Sequence, residues 1–397
     1  MKKLGLCLTL VALTFTLLGF KANAPYTFTP IDGRFEGFFA VHDFDPVVPS
    51  DADASFISYT EFRATLTPAT TESAIRTMMD GVKIRFDTAE ELHRFSVDVS
   101  YFPDLIYQSA DPAQNFKLSP DIIGVLMDLD YVLGQTIDYA VVKSRTFIPI
   151  GYSFSSIDGT LNENFFTGTF DGRGFEIKNL YVAGFDLVTI TEGEDEETVE
   201  LATSGYYAMF PYNLGVIQNL GLVNPTLELR FENDDITRTA NLVGINAGLV
   251  DHVYVIDDRP SIFAAGIRMR PSVGLATSDY QAAGIVFDNI GTFTNAYYAS
   301  RVVINGSFIT NFEVQPVVFQ NSGTVGNLVY DSTLYQTSIT SGGTTFNVTT
   351  PNALAAPETT TTLKTNSSSG NWYYFPEDRY PSRRGLEYAS GVFQIAT

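Results

Sequence analysis

The residues of this chain whose types could do chemistry are few and scattered. Two pairs of adjacent carboxylates stand out, Asp234-Asp235 and Asp257-Asp258. Paired carboxylates cleave glycosidic bonds when they flank the bond at roughly 5–9.5 Å separation. On a β-helix such acids would converge from neighbouring coils, so these pairs are the candidates for a polysaccharide-active enzyme. Asp234→Asn or Asp257→Asn would then abolish turnover of a glycan. Neither pair has a basic cluster beside it, and both read better as loop acids that follow a strand. His42, His93 and His252 are isolated from one another, and none belongs to an H-E-x-x-H zinc pattern. No G-x-S-x-G elbow and no phosphate loop with its lysine is present. Catalytic, cofactor-binding and metal residues are therefore assigned to no position, and no cofactor is expected.

One further stretch has the composition of a cation site. Residues 192–197 read EGEDEE between apolar runs. Hard cations take several carboxylates, but the regular glycine-aspartate spacing of calcium-binding repeats is missing. A solvated hairpin tip is the expectation.

What must be positioned is therefore a scaffold, and its organising stretch is residues 166–182, FTGTFDGRGFEIKNLYV. Alternate side chains of a strand face opposite sides, so two core residues on one strand lie an even number of positions apart. Ile177 and Leu180 are three apart, whereas Leu180 and Val182 are two apart. The spacing predicts a corner at Lys178-Asn179 between two extended pieces. Asn suits a corner because it tolerates left-handed φ and its side chain bonds local backbone. Asp171-Gly-Arg-Gly174 just before it is a tight-turn signal.

The same arrangement returns four times. Asn213-x-Gly215 precedes Ile217-x-Asn219-Leu220-x-Leu222, and Asn246-x-Gly248 precedes Val250-x-His252-Val253-x-Val255. Asn289-x-Gly291 precedes Phe293-x-Asn295-Ala296-x-Tyr298, and Asn321-x-Gly323 precedes Val325-x-Asn327-Leu328-x-Tyr330. Repetition of this kind predicts a stack of units, each covering the apolar face of its neighbour. The expected fold is mainly β: a right-handed parallel β-solenoid, or β-helix, with a short N-terminal helical cap. Like residues would then lie over like residues about 4.8 Å apart, and corner asparagines could form amide ladders. The Asn-Gly turns recur at intervals of 33, 43 and 32 residues, so loops must protrude between coils. A leucine-rich repeat is the rival fold, but its Asn follows the last apolar residue and its intervals are shorter and more even.

Asp171-Gly-x-Gly-x-x-Ile177-x-Asn179-Leu180-x-Val182 and Leu242-Val243-Gly244-x-Asn246-x-Gly248-x-Val250 resemble the GLUG-motif repeats of bacterial surface proteins. The lead-in is similar too: Tyr131-x-Leu133, Ile137-Asp138, then Phe147-Ile-Pro-Ile-Gly151. The resemblance covers roughly residues 84–335. His252 replaces a corner Asn, and Phe287 and Phe319 stand where Gly is usual. It implies an extracellular β-solenoid segment, often part of a larger surface or secreted protein, and no agreed activity. Some relatives are non-catalytic regions of secreted immunoglobulin A proteases.

The start of the chain points the same way. Lys2-Lys3, an apolar run from Leu4 to Phe20 and Ala22-Asn-Ala24 have the layout of a secretory signal peptide. Cys7, within it, is the only cysteine, so the mature chain would be held together without disulfides. Cleavage would remove three of 24 basic residues and none of 45 acidic ones, moving the formal charge from −21 to −24. Such a charge disfavours nucleic acid and anionic membrane surfaces as partners. The partner expected instead is an extracellular ligand, a glycan or a protein.

The remaining elements complete the expected layout. Residues 25–83 form a β-rich lead-in or cap, with strands at 33–41 and 58–66. Residues 84–130 hold a strand at Ile84-x-Phe86 and two helices. The first opens on the Thr88-Ala-Glu-Glu91 capping box, the second on Ser119-Pro-Asp. Solenoid coils occupy 131–385, with strands from Tyr131 onward, loops through 336–370 and a last strand at Trp372. Residues 386–397 begin a further unit, because Phe393-x-Ile395-x-Thr397 repeats Ile84-x-Phe86-x-Thr88. The function this layout supports is a secreted, non-catalytic, adhesin-like scaffold at a bacterial cell surface. Alternatives are the glycan-active enzyme above and the non-catalytic segment of a longer secreted protease.

Overall fold

The structure, a computed structural model, describes residues 55–381 except 101–105, 143–146, 152–164, 184–187, 193–194, 200–205, 232–236, 258–265, 272–278, 305–310, 336–337, 342–343, 348–349, 370–371 and 373–379. All of these belong to one compact unit, Pro46–Arg384. The expected signal peptide, the strand at 33–41 and the segment 386–397 lie outside the described residues.

The described chain is mainly β, built from long parallel sheets in the manner of a β-helix or solenoid. Three passes repeat the same four strands. The first runs through Tyr206–Tyr207, Phe210–Asn213, Val216–Val223 and Thr226–Phe231. The second runs through Thr237–Ala240, Val243–Asn246, Leu249–Ile256 and Gly266–Pro271. The third comprises Asp279–Ala283, Val286–Asn289, Thr292–Ala299 and Val302–Ile304. A fourth pass contributes Asn311–Gln315, Val318–Asn321 and Thr324–Asp331. Each strand pairs in parallel with its counterpart in the next pass.

Register follows the repeat. Phe170, Ile217, Val250, Phe293 and Val325 form one column of partners, and Leu220, Val253, Ala296 and Leu328 form the next inward column. Between them the long strand turns at a left-handed residue: Asn219 (φ 52°), His252 (50°), Asn295 (51°) and Asn327 (55°). One left-handed residue resets the alternation, so apolar residues three apart both reach the core. These columns join a continuous buried cluster that runs from Tyr59 to Ala355.

The first repeat is aligned differently from the sequence reading. Ile177 pairs with Leu222 and Lys178 with Val223, so Asn179 (φ 57°) stacks at the level of Asn224 (φ 54°), one corner beyond Asn219. The corner under Asn219 is taken by Asp171-Gly-Arg-Gly174, where Arg173 and Gly174 supply φ of 53° and 80°. Both corners impose the same odd-then-even spacing, so parity alone could not tell them apart.

Four more expectations are corrected. Residues 59–65 form a helix, Tyr59–Thr65, in place of the strand at 58–66. Ser58 and Glu61 make a reciprocal capping box, and Tyr59, Phe62 and Arg63 are buried at helical spacing. Second, the large sheet does not begin at Tyr131: Ser55–Ser58 and Val82–Phe86 precede Asp130–Leu133 in it, all parallel. Third, residues 336–370 carry a hairpin (Ser338–Ser341 with Thr344–Asn347), a strand Ala356–Glu358 on Val329–Asp331, and a helix Thr360–Asn366. That helix is capped by the Thr359 hydroxyl and buries Leu363. Fourth, Trp372 lies in no strand but packs against the outside of the stack.

The two expected helices are present as Ala89–Asp98, with the Thr88–Glu91 capping box, and Pro120–Leu126, capped by Ser119. Both bury their apolar faces in the main cluster beside Phe86, Tyr131 and Phe170. No helix among the described residues is long and apolar enough to cross a membrane.

Candidate functional site

Most polar residues that repeat from coil to coil bond to neighbouring coils. Asn213, Asn246, Asn289 and Asn321 form the amide ladder, each Nδ2 donating to the next Oδ1 at 2.7–2.8 Å. The longer ladder thus belongs to the Asn-x-Gly turns, while the corner asparagines expected to make one form a single rung, Asn327 Nδ2 donating to Asn295 Oδ1 at 2.8 Å. Asn246 and Asn289 are fully buried, where an unpaired amide would be costly. The glycine two residues on sits in an equally strict column. A Cβ on Gly215, Gly248, Gly291 or Gly323 would come within 2.0–2.3 Å of a carbonyl oxygen in the coil beneath. Glycine is required here by close approach rather than by φ.

The outer side of the long strands divides into two halves. The first half and its corner form a ledge: Asp171 is buried in it, Gln218, Asn219, Asp251, His252, Thr294 and Asn295 are half-buried, and Asn327 is exposed. Asp171 accepts from Gln218 Nε2 (3.0 Å) and Asn219 Nδ2 (3.1 Å). Asp251 repeats this two coils further on, accepting from Thr294 (2.7 Å), Asn295 (2.8 Å) and His252 Nδ1 (2.7 Å). Burial pushes the Asp251 carboxyl up, but those three hydrogen bonds outweigh it and hold its pKa below the ordinary value. The Asp–His pair is the orienting half of a charge relay, but no hydroxyl or thiol among the described residues hydrogen-bonds the other His252 nitrogen. As built, the ledge offers amides, hydroxyls and a carboxylate to a ligand, with no assembled nucleophile.

The second half of the outer side is covered. Tyr254 and Tyr297 stack at 5.1 Å, and Trp372 meets both edge-on at 5.6 and 5.0 Å. Gly221 beneath them leaves room for the Tyr254 ring, whose hydroxyl reaches Glu176 Oε1 at 2.6 Å. Tyr297 donates to the Pro381 carbonyl and Tyr380 to Asp331 Oδ2 at 2.6 Å, so the C-terminal segment is tied across the coils.

The densest buried charge lies at the other end, around the helix Ala89–Asp98. Asp98 accepts from Tyr59 (2.8 Å) and Arg63 Nε (3.1 Å), with Arg94 Nε at 3.6 Å. Burial raises the Asp98 pKa against the pull of Arg63 and the Tyr59 hydrogen bond. The Arg63 guanidinium also lies over the Phe116 ring at 4.1 Å. Lys117 donates to the carbonyls of Val97 (3.2 Å) and Ser100 (2.5 Å), at the negative end of the helix. Its burial lowers the ammonium pKa to about 8. Tyr59, Arg63 and Asp98 join two helices, and sequence spacing gave no sign of the cluster because Tyr59 and Arg63 lie 39 and 35 positions from Asp98.

Of the residues singled out for chemistry, Asp234, Asp235, Asp258, His42 and Cys7 lie outside the described residues. Asp257 donates its backbone N–H to the Ala299 carbonyl at 2.9 Å, as a continuation of the ladder. His93 is buried against the Tyr139 hydroxyl. The acidic stretch forms the hairpin expected of it: Val188–Glu192 runs antiparallel to Asp195–Val199, with Glu192 opposite Asp195. No group of three or more His, Cys, Asp or Glu placed to hold a metal ion occurs among the described residues. Compared with known proteins, the chain matches no family model, no curated protein and no solved structure.

Proposed function

We propose that this protein is a secreted, non-catalytic scaffold of the GLUG-repeat type, adhesin-like, that presents the ledge to an extracellular glycan or protein. In this reading the solenoid winds right-handed, residues 84–130 cover its N-terminal end, and the coils supply length while loops supply specificity. The observation that carries it is the use of the repeated polar residues. Ladder and corner side chains bond mainly to neighbouring coils, which is the economy of a structural stack. The acidic composition and the signal-like first 24 residues support an extracellular setting. Expression of the full chain in a bacterial host tests the setting: the mature protein should begin at Pro25 and leave the cytoplasm. An uncleaved, cytoplasmic product would refute that part. Screening the mature protein on glycan and protein arrays tests the role. Binding that Asn295→Ala and Asn327→Ala weaken together is the expected result, and binding indifferent to both would remove the ledge from the proposal.

A further inference from the structure

The fourth coil does not close as the three beneath it do. On one flank Asn352 donates its Nδ2 to the Val318 carbonyl at 2.8 Å and its N–H to Gln315 Oε1 at 2.7 Å. On the other flank Ala356–Glu358 pairs with Val329–Asp331. Between the two, only Ala353, Leu354 and Ala355 cross the mouth of the core, where residues 287–296 fill the same interval one coil below. The chain takes a chord instead of the arc. It leaves the edge from Gln320 to Asn327 uncovered. Gln320, Ser322, Thr324 and Asn327 are exposed, and Val325 is only half-buried although Ile217, Val250 and Phe293 beneath it are fully buried.

In every lower coil that edge is in use. The Asn213 carbonyl accepts from the N–H groups of Ala247 and Gly248, that of Asn246 from Ile290 and Gly291, and that of Asn289 from Ser322 and Gly323, all at 2.7–3.1 Å. At Asn321 the equivalent carbonyl meets no strand among the described residues, and Nδ2 keeps only the contact to the glycine carbonyl two residues on (Gly323, 3.3 Å) that Asn213 and Asn289 make in addition to their ladder bonds. At the opposite end of this column the donors are already in use. Phe166 occupies the ladder position beneath Asn213, and Met127 already accepts from Thr167 and Gly168. A second copy therefore has no matching donors to place on Asn321.

We infer that Gln320–Asn327 is a docking edge for an extended segment of another polypeptide, laid parallel and carrying Asn opposite Asn321 and Gly opposite Gly323. Asn is selected by the outward amide and carbonyl, and Gly by the close approach that admits no Cβ at four successive interfaces below. The inference needs only the coil geometry and is independent of where the protein resides. Its test uses the mature chain and, as probe, a labelled peptide of the chain's own residues 241–256, followed by fluorescence anisotropy and hydrogen exchange. Saturable binding is expected, with new protection confined to 320–327. Gly248→Val in the peptide should weaken it at least about tenfold, as should Asn321→Ala in the protein. Absence of binding, protection elsewhere, or a Gly248→Val peptide that binds as well as the parent would overturn it. The peptide series decides the matter even if the Asn321 variant folds poorly.

Discussion

At the scale of single residues, the stack rests on side chains that satisfy one another across coils. Asn246 both receives and gives a ladder bond in a fully buried position. Asn246→Ala strands the Asn213 donor and the Asn289 acceptor and should cost about 2–4 kcal/mol in chemical denaturation. Asn321→Ala, at the open end, should cost about 1 kcal/mol. Equal costs would mean that the ladder does not act as a ladder. His252 offers a second comparison. It holds φ 50° where the other coils use Asn, so His252→Asn should be neutral within about 0.5 kcal/mol. His252→Val puts a β-branched residue in the left-handed region and should lose about 1–2 kcal/mol. The corner was legible from the odd spacing of apolar residues. The longer ladder at the Asn-x-Gly turns was not, because Asn is equally suited to a left-handed corner and to an amide bond between coils; at the corners only Asn327 and Asn295 make the expected rung.

At the scale of elements, the helices with capping signals were legible and those without an expected context were not. Thr88 and Ser119 announced their helices. Ser58 made the same capping box but was hidden in a stretch whose aromatic and Thr content favours strand. Lys117 ties the end of the helix Ala89–Asp98 and titrates at about 8, below the ordinary lysine value of about 10.4. Between those two values the unfolded chain holds more protons, so this residue makes stability rise with pH across that window. An NMR titration of isotopically methylated lysines should show one midpoint near 8, removed by Lys117→Met. A set that all titrates at ordinary values would contradict the burial. The C-terminal cover has its own reporter, because Trp372 is the only tryptophan. Its emission should be blue-shifted in the native chain and move red in Tyr297→Ala, which removes the ring it packs on. Solvent-like emission in the native chain would mean the cover is not docked.

At the scale of the whole molecule, the long parallel stack was readable because its period is carried by Asn, Gly and apolar residues that the geometry permits nowhere else. The starting point of the sheet was not readable. Ser55–Ser58 and Val82–Phe86 join it without the Asn-x-Gly signature, having helices rather than coils beside them. The chord at Ala353–Ala355 was equally silent, since it is defined by what the chain skips. Register is the central claim, and cysteine pairs read it directly because Cys7 is the only native cysteine. Leu249 and Thr292 are partners on the outer face, placed about 4.8 Å apart by parallel pairing, within disulfide range. In the mature chain, Leu249→Cys with Thr292→Cys should oxidise readily to one intramolecular disulfide seen by mass spectrometry. Leu249→Cys with Thr294→Cys, displaced by two positions, should not. Equal cross-linking of both pairs, or of neither, would contradict the stacked register on which the rest depends.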